Sequence, residues 1–563
     1  MLTKREFLQA SVAAAAIFGA GGKLASAAAR QSISQDDLLA FDAVGQATIL
    51  HATDIHGHLL PVYFREPSIN LGVGEAKGQP PHVVGKDFLG LYGMEAGTPE
   101  AYALTPEDFT GLAKTYGKLG GLDRMATIVK AVRAERGDSN VLLLDGGDTW
   151  QGSYTAMKTE GADMIEAMTA LGVEAMTGHW EFTYGAEKVQ EHVDDLEFPF
   201  LAGNVVDTEW EEPVFESTKF FEKGGVKIAV VGQAFPYTPV ANPRYMIPTW
   251  SFGIREDAVR KHVEAAQAEG AEVVVLLSHN GFDVDRKLAA NVDGIDIILT
   301  GHTHDALPRP LMVGKTALIA TGSHGKFIAR LDLDVANGRL KGFKHKLIPI
   351  FSDAIAPDAD MAALIKKIRA PHADYLAQEL GRTESLLYRR GNFNGSFDDL
   401  ICEALMEQRD AEIALSPGFR WGTSLLPGQA ITVEDVFNET AMTYPEAYRL
   451  EFTGERLKEI LEDVADNLFN PDPYYQQGGD MVRVGGLGYS IDISKPIGQR
   501  ISDLTYLRDG TPLDAKRSYT VAGWASVNPD VEGPPIWDVV MDHIKAKGVI
   551  NLPENNSIRV RGA

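Results

Sequence analysis

Residues 273–281 read VVVLLSHNG and residues 295–305 read IDIILTGHTHD, and these two stretches give the strongest indication of the fold class. In each, a continuous run of apolar, mostly β-branched residues ends directly at histidine or aspartate. Such runs are typical of strands that are buried on both faces of a parallel sheet. Because open α/β sheets bind their ligands beyond the carboxyl ends of the strands, we expect these polar residues to meet at one edge.

Three further segments have the same character: HATDIHGHLLP from His51, LLLDGGDTWQG from Leu142 and TGHWEFTYG from Thr177. Asp54 and His56 are two residues apart, as are His302 and His304, so in an extended segment the members of each pair point the same way. A single carboxylate between the pairs, Asp148, could bridge two cations about 3.5–4 Å apart. The pattern predicts a two-metal hydrolytic site.

Strand-like and helix-like segments alternate from about residue 45 to residue 350, which predicts a layered α/β sandwich. We expect a catalytic domain over residues 30–350, with a Gly- and Pro-rich insertion at about residues 61–120 that shapes access to the site. Residues 351–380 read as a helical connector interrupted at Pro371. Residues 381–563 mix helices and strands, and they are predicted to form a smaller α+β domain that binds substrate.

Residues 1–29 have the features of an export signal peptide. A charged start is followed by about eleven apolar residues and by small residues suited to cleavage. The stretch KREFL resembles a twin-arginine signal with Lys4 in place of the first arginine, which leaves ordinary Sec export open. The apolar stretch is too short to span a bilayer, and we expect a periplasmic protein without stable membrane insertion.

The 563-residue chain has a formal net charge of −25. Removing residues 1–29, which carry three basic side chains and one acidic side chain, brings the charge to −27. So acidic a protein is not expected to bind nucleic acid or anionic membranes. The single cysteine, Cys402, excludes an internal disulfide and a thiolate cluster, and is expected to be a small buried residue. The remaining ligands, imidazole and carboxylate, suit manganese, iron or zinc.

The other histidines are weaker candidates. Five of them stand in polar, helical or loop contexts and are predicted to lie on the surface: His192, His262, His345, His372 and His543. His324 follows a buried strand and could approach the site, although it lacks a partner at ligand spacing. His58 could lie beside the metal ligands or contact substrate, and solvent exposure is an equal alternative.

The five motifs, in this order, resemble those of the calcineurin-like metallophosphoesterases, and in particular the two-domain periplasmic 5′-nucleotidases. The resemblance implies two bound metal ions. One ion would be held by Asp54, His56, Asp148 and His304, and the other by Asp148, His179, His279 and His302. The third motif departs from the family pattern GNHEF, because His179 replaces an asparagine ligand and Trp180 replaces a catalytic histidine.

The tryptophan at position 180 limits which leaving groups the site can expel. An indole has no nitrogen that titrates near neutrality, so Trp180 cannot serve as a general acid. An alkoxide is difficult to expel without a proton, whereas a thiolate, whose conjugate acid has a pKa of about 8.5, can leave unaided. Together with the insertion and the segment PDPYYQQGGDMVRVGG at residues 471–486, this feature resembles the SoxB thiosulfohydrolases of bacterial sulfur oxidation.

That resemblance implies hydrolysis of the terminal sulfonate of a cysteine S-thiosulfonate on the SoxYZ carrier protein, by a hydroxide held between two manganese ions. Arg420 matches an arginine that holds the substrate phosphate in nucleotidases, so it is predicted to hold the sulfonate; a surface salt bridge is the alternative. Tyr474 and Tyr475 could line a channel for the arm of the carrier, or simply pack. Asp480 could position substrate or cap a turn. We expect the enzyme to be a monomer.

Two alternatives remain open. The first is a periplasmic 5′-nucleotidase-like phosphoester hydrolase that obtains its proton from another group. The second is a metal-binding carrier subunit whose catalytic site has decayed. The second is disfavoured because all seven predicted ligand positions retain side chains that can bind a metal.

Overall fold

The computed structural model describes residues 33–561, so the predicted export segment lies outside the described residues. The first of two large sheets contains five strands. In spatial order they are Leu340–Pro349, Phe327–Val335, Ala47–Ala52, Val141–Asp145 and Ala175–Met176. The last three run parallel to one another, whereas Phe327–Val335 is antiparallel to both of its neighbours.

The second large sheet contains six strands. In spatial order they are Leu311–Val313, Thr316–Ala320, Ile297–Thr300, Val273–Ser278, Val226–Gln233 and Thr218–Lys223. The four inner strands are parallel and the two edge strands are antiparallel. The predicted strands at residues 273–278 and 297–300 are therefore present. Residues 199–205 form only isolated bridges, and the Asn204 side chain hydrogen-bonds to the backbone of Ala234.

The two sheets pack face to face through apolar side chains from both, which include Ile49, Leu144, Val275 and Leu299. Helices cover the outer faces. Leu122–Arg136, Ala162–Leu171 and Ala359–Arg369 pack over the first sheet, and Glu256–Ala268 and Phe282–Asn291 pack over the second. Because the inner strands are covered on both sides, their sequences are continuously apolar rather than alternating. The N-terminal domain, residues 47–349, is thus the layered α/β sandwich that the sequence predicts.

Shorter elements complete this part of the chain. The α-helices are Gln35–Leu39, Gly85–Tyr92, Pro99–Leu104, Phe109–Tyr116, Tyr154–Thr159, Ala186–Asp195 and Thr238–Ala241. The 3-10 helices are Gly74–Ala76, Asp138–Asn140, Trp180–Tyr184 and Arg244–Met246, and a two-stranded ribbon joins Val206–Asp207 to Trp250–Ser251. Among residues 33–561, none of the helices combines the length and apolar character that a membrane span requires.

The segment at residues 61–120, predicted as an insertion, packs onto the sandwich. Lys326 directly precedes the strand Phe327–Val335. It is fully buried and forms an ion pair with Glu66. The Lys326 ammonium also donates a hydrogen bond to the carbonyl of Ala103 at 3.1 Å. Since an unpaired ammonium in this position would be costly, the insertion supplies the partners that make the buried charge tolerable.

The connector and the C-terminal domain, residues 379–561, follow. The connector comprises the helix Ala359–Arg369, the 3-10 turn Ala370–His372 around Pro371, and the helix Ala373–Leu376. Three sheets then form, in spatial order: Ala430–Thr432, Glu379–Thr383, Val549–Ile550; Tyr448–Thr453, Ser518–Gly523, Ile413–Ser416, Arg483–Gly485; and Thr511–Pro512, Ile501–Tyr506, Leu487–Asp492, Ile558–Arg561. The helices are Ser396–Gln408, Val433–Thr440, Gly454–Phe469, Pro473–Tyr475 (3-10) and Ile536–Lys547. Cys402 is buried, as predicted.

The prediction that five histidines lie on the surface is wrong for His192 and His543. His192 is buried, because its Nε2 donates to the carbonyl of Glu160 at 2.8 Å and its ring packs edge-on against Trp150. His543 is only 1% exposed and its Nδ1 lies 3.2 Å from Glu407. The other three are half-buried: His262, His345 and His372. A polar neighbourhood in sequence does not reveal which face of a helix a histidine occupies.

Candidate metal centre

The seven predicted ligands lie where parallel strands of both sheets end. Asp54 and His56 follow the strand Ala47–Ala52, Asp148 follows Val141–Asp145, His179 follows Ala175–Met176, His279 follows Val273–Ser278, and His302 and His304 follow Ile297–Thr300. The carboxyl ends of these parallel strands share one rim of the sandwich. All seven side chains are buried.

The structure brings the seven side chains into two groups of four. Asp54, His56, Asp148 and His304 form one group, and Asp148, His179, His279 and His302 form the other. Within each group the potential ligand atoms all lie within 4.8 Å of one another. Asp148 belongs to both groups, so one carboxylate lies between two clusters of imidazoles.

The distances show how closely the ligand atoms converge on Asp148. One oxygen, Oδ2, lies 3.0 Å from His279 Nε2, 3.2 Å from His179 Nδ1 and 3.6 Å from His56 Nε2. The Nε2 atoms of His56 and His304 face each other at 3.0 Å. The buried His179 Nε2 and His304 Nδ1 have no hydrogen-bond partner. Converging imidazoles and carboxylates with unsatisfied nitrogens are a donor set that fits two divalent cations.

Hydrogen bonds to surrounding groups fix the orientation of the predicted ligands. The Nδ1 of His279 donates to the Gly146 carbonyl at 2.6 Å, which leaves its Nε2 directed at the centre. Glu181 accepts the backbone N–H groups of His179, Asp148 and Thr149 at 2.7, 3.2 and 2.7 Å. Such outer partners set the tautomer and orientation of metal-binding histidines. Sequence reasoning missed the role of Glu181, although this residue lies within the third motif.

Five of the ligand residues adopt left-handed backbone conformations. The φ angles are 53° at Asp54, 51° at His56, 55° at Asp148, 74° at His302 and 59° at His304. Non-glycine residues seldom occupy this region, and strained backbone of this kind clusters at functional sites. The conformations turn each side chain from the end of its strand back toward the common centre.

The electrostatics of the site favour added positive charge. Burial alone would raise the pKa of Asp148, but His179, His279 and His56 hold that pKa well below its usual value. Burial would lower the pKa of His279, whereas Asp148 and Asp54 raise it to about 10. A protein without bound metal would therefore hold a proton at His279, and a divalent cation would compete with that proton.

A cavity of about 270 Å³ lies over the centre, between the two domains. Its aromatic lining consists of Trp180, Phe235, Tyr237, Phe419, Trp421 and Tyr444. Two of the lining residues, Val240 and Val527, are 57% and 45% exposed and form an apolar rim. The cavity therefore presents buried metal-binding groups on one side and apolar surface around its opening.

Trp180 borders the centre directly. Its indole lies edge-on to Phe419 of the C-terminal domain, with 5.4 Å between ring centroids, and 4.8 Å from the ring of His179. Apart from the metal-binding groups, the described lining offers few titratable side chains: Tyr237, Tyr444, Arg420 and Asp480. Burial raises the pKa of both tyrosines, and neither is a ready acid near neutrality.

Arg420 and Asp480 lie in the cavity wall. The Nε of Arg420 donates to Asp480 Oδ1 at 3.3 Å, and its Nη1 donates to the carbonyl of Thr303 at 3.1 Å. Arg390 and Arg483 also pair with Asp480, at 3.3 and 3.2 Å. Burial would raise the pKa of Asp480, but the three arginines lower it to about 2. Arg420 is thus a half-buried residue of the cavity wall and not an exposed surface arginine.

The two tyrosines predicted to contact substrate lie at the domain boundary. The Tyr474 hydroxyl donates to Glu256 at 2.7 Å, and the Lys287 ammonium lies 4.0 Å from the centroid of its ring. Tyr475 is 65% exposed. Tyr474 therefore joins the C-terminal domain to the N-terminal domain, and a role of either residue in a channel stays a prediction.

The remaining histidines near the centre are buried. His58 is 4% exposed, so the alternative of solvent exposure is wrong. His324 stacks on Phe64 with 4.2 Å between ring centroids, and its Nε2 accepts the N–H of Gly422 at 3.2 Å. His324 thus approaches the site, as its position after a buried strand suggested, and it links the two domains.

Comparisons with known proteins agree with this geometry. The family described as calcineurin-like phosphoesterase matches residues 47–306, and the 5′-nucleotidase C-terminal domain matches residues 379–531. The solved structure of the sulfate thiohydrolase SoxB from Thermus thermophilus, in complex with glycerol, is 36% identical, with a TM-score of 0.89. That match covers 93% of this chain and 98% of the other.

Two more distant relatives carry the nucleotidase name. A 5′-nucleotidase of Diplobatis ommata is 28% identical over 320 residues, which are 51% of this chain and 54% of that protein. This chain thus matches about half the length of that relative. A 5′-nucleotidase precursor from Thermus thermophilus is 21% identical, with a TM-score of 0.72 over 91% of this chain and 99% of the other, and it shares the fold.

Proposed function

The chain belongs to the SoxB family within the superfamily of 5′-nucleotidases and calcineurin-like phosphoesterases, and we propose that it is a thiosulfohydrolase. Its substrate is the terminal sulfonate of a cysteine S-thiosulfonate on the SoxYZ carrier protein. The general activity, metal-dependent hydrolysis, follows from the family and from the two groups of potential metal ligands.

The observation that carries the proposal is the presence of Trp180 beside the shared carboxylate Asp148. Protonation of an alkoxide leaving group would require a titratable proton donor at this position. The cavity has an indole there, which cannot donate such a proton. The other described lining residues do not replace that donor, since both tyrosines have raised pKa values and Asp480 is ion-paired. A leaving group that is stable as an anion, such as a persulfide, needs no such proton.

Seven side chains would hold two divalent ions, for which we propose manganese: Asp54, His56, Asp148, His179, His279, His302 and His304. When bound, such ions acidify water and neutralise the oxygens of a sulfonate. The protein contributes the buried position of these groups and their orientation by Gly146 and Glu181. The imidazole and carboxylate donor set is compatible with manganese, and elemental analysis tests that assignment.

The proposed reaction balances without an oxidant or a reductant. A water oxygen forms a new bond to the sulfonate sulfur, and the bond between that sulfur and the carrier persulfide breaks. The electron pair of the broken bond remains on the carrier sulfur, so the products are a persulfide anion, sulfate and protons released to solvent. Arg420 provides a cationic wall with remaining N–H donors, which suits a charge-assisted hydrogen bond to a sulfonate oxygen.

A protein-borne substrate is consistent with the shape of the cavity. The exposed Val240 and Val527 at its rim form apolar contacts that a free inorganic anion would not use. The net charge of −25 argues against a nucleic acid partner. We place the enzyme in the periplasm on the basis of the export-like residues 1–29, and we propose that Tyr474 and Tyr475 border the path of the carrier arm.

The decisive experiment measures sulfate release from carrier loaded with cysteine S-thiosulfonate, beside hydrolysis of AMP and p-nitrophenyl phosphate, on the manganese-loaded protein. We expect sulfate release with kcat/KM at least about a hundredfold above that for either phosphoester. Efficient AMP hydrolysis without sulfate release would instead support the second candidate, a 5′-nucleotidase-like phosphoester hydrolase, which the match of residues 379–531 to the nucleotidase C-terminal domain favours.

A further inference from the structure

The C-terminal domain contacts the loop that carries two of the metal ligands. His302 Nε2 lies 3.0 Å from the carbonyl oxygen of Gln477, so this ring nitrogen donates a hydrogen bond across the domain boundary. The contact leaves Nδ1 as the atom of His302 available to an ion. One residue along, the Thr303 carbonyl accepts hydrogen bonds from Arg390 and Arg420, both at 3.1 Å.

Gly478 allows this close approach. Its φ angle is +75°, and a Cβ atom at this position would lie 2.4 Å from His302 Nε2. Any larger residue would therefore push the imidazole away from its observed position. The segment itself is anchored within its own domain, because the Gln477 N–H bonds to Asn467 at 2.9 Å and the Asp480 N–H bonds to Gly418 at 2.8 Å.

We propose that Gln477 and Gly478 are positioning residues that complete one of the two metal sites. The site concerned is the group of Asp148, His179, His279 and His302. Its occupancy depends on the C-terminal domain being docked, because only then does a carbonyl fix the tautomer and the direction of His302. By linkage, an ion in this site stabilises the docked arrangement by the same free energy.

Ion binding by the other ligand group depends less on docking of the C-terminal domain. In the group of Asp54, His56, Asp148 and His304, the described hydrogen bonds to the C-terminal domain are made by neighbouring groups and not by the four side chains themselves. The Gln151 carbonyl lies 3.2 Å from His56 Nδ1 and the Gln151 side chain donates to Ala441, while the Thr303 carbonyl beside His304 accepts from Arg390 and Arg420. The two ions should therefore respond unequally to a change at residue 478. This inequality distinguishes a positioning role from general loss of structure.

The test compares Gly478→Ala with the matched control Gly479→Ala. Gly479 also has a positive φ, +74°, but the nearest atom to a Cβ there is the Gly418 carbonyl oxygen at 3.6 Å. Both variants thus strain the backbone equally, and only the first displaces His302. Manganese content and isothermal titration of the metal-free proteins measure the effect. We expect Gly478→Ala to bind one ion as the wild type does and the second about 10–100-fold more weakly, whereas Gly479→Ala keeps both.

The proposal would be overturned if Gly478→Ala bound both ions with wild-type affinity. It would also be overturned if Gly478→Ala and Gly479→Ala lost metal affinity equally. Should Gly478→Ala fail to fold, as judged by circular dichroism in the presence of a chelator, hydrogen exchange of the wild type decides. Adding manganese to the metal-free protein should slow amide exchange in residues 474–480 about tenfold, and an unchanged rate would refute the coupling. Neither measurement uses a substrate, so its outcome is independent of the proposed thiosulfohydrolase activity.

Discussion

The backbone N–H of Trp180 donates a hydrogen bond of 2.8 Å to Asp148 Oδ1, while the other oxygen of that carboxylate faces His179 and His279. The indole is therefore placed beside Asp148, the proposed shared metal ligand, by a hydrogen bond of the backbone and not of the indole itself. A substitution at residue 180 can keep this bond, so the chemistry of the side chain can be changed without removing the carboxylate from its position.

Trp180→His should consequently retain both metals and gain phosphomonoesterase activity. A positioned imidazole can protonate an alkoxide, an effect of typically about 10²–10⁴-fold in rate. The measurement is kcat/KM for p-nitrophenyl phosphate, together with metal content. Trp180→Phe is the matched control, because it also removes the indole but supplies no acid. Equal activities of the two variants would show that other walls of the cavity set the substrate preference.

Asp148→Asn should lose both ions and nearly all turnover. The amide lacks the negative charge that faces three imidazoles and that both ligand groups share. We expect fewer than one ion per chain and a fall in kcat of at least about a thousandfold. Asp257→Asn, at a largely exposed aspartate, is the control and should keep both ions. A fully loaded, active Asp148→Asn would contradict the shared-ligand assignment.

Arg420→Lys should weaken transition-state binding while leaving the protein folded. A lysine keeps the charge but cannot reproduce the two directed contacts, to Asp480 and to Thr303, and still face a sulfonate. Loss of one charge-assisted hydrogen bond corresponds to about 10–100-fold in kcat/KM for the loaded carrier. Arg456→Lys, at an exposed ion pair, is the control. Wild-type kinetics in Arg420→Lys would remove this residue from the substrate site.

Val240→Asp should impair the carrier substrate selectively. The side chain is 57% exposed at the cavity rim, so a carboxylate there costs little stability but disrupts an apolar contact. We expect KM for loaded carrier to rise about tenfold, with unchanged hydrolysis of a small organic thiosulfonate. Ile497→Asp, at a similarly exposed residue outside the cavity lining, is the control. A parallel loss on the small substrate would show that the rim is not a docking contact.

Acid should weaken the C-terminal domain through Asp480. The pKa of this carboxyl is lowered to about 2 by three arginines, so its contribution to stability is present above about pH 4 and is lost as the pH falls toward 2. The contribution is about 2 kcal/mol. Urea midpoints of metal-free protein between pH 5 and pH 2.5 measure it. The variant Asp480→Asn should show a lower midpoint at pH 5 and a flatter pH dependence; an unchanged slope would contradict the assignment.

The convergence of the proposed metal ligands at one rim is predictable from sequence because these residues follow strand ends. Asp54, His279 and His302 each come within a few residues of a buried apolar run, and parallel strands deliver such residues to one rim. The layered sandwich is predictable for the same reason. Apolar runs of this kind require cover on both faces, and the helical segments between them are the cover.

Contacts made by backbone atoms and across domains are not predictable in this way. Every residue has a backbone carbonyl, so the residue type at position 477 does not reveal its hydrogen bond to His302. That hydrogen bond depends on how the two domains dock. The burial of His192 likewise depends on the packing of Trp150 above it. The contact of His82 Nε2 with Asp283 at 2.7 Å is not predictable from sequence either, because the insertion that contains His82 lacks a periodic pattern.

Lys326 has a consequence for engineering the scaffold. The ammonium in the interior finds its acceptors in Glu66 and Ala103, both contributed by residues 61–120. Deleting residues 61–120 to make a minimal hydrolase would leave the buried Lys326 ammonium without its acceptors. The loss would lower the free energy of unfolding by several kcal/mol. A shortened version would need Lys326 replaced by an uncharged residue such as methionine at the same time, so deletion and substitution must be designed as one change.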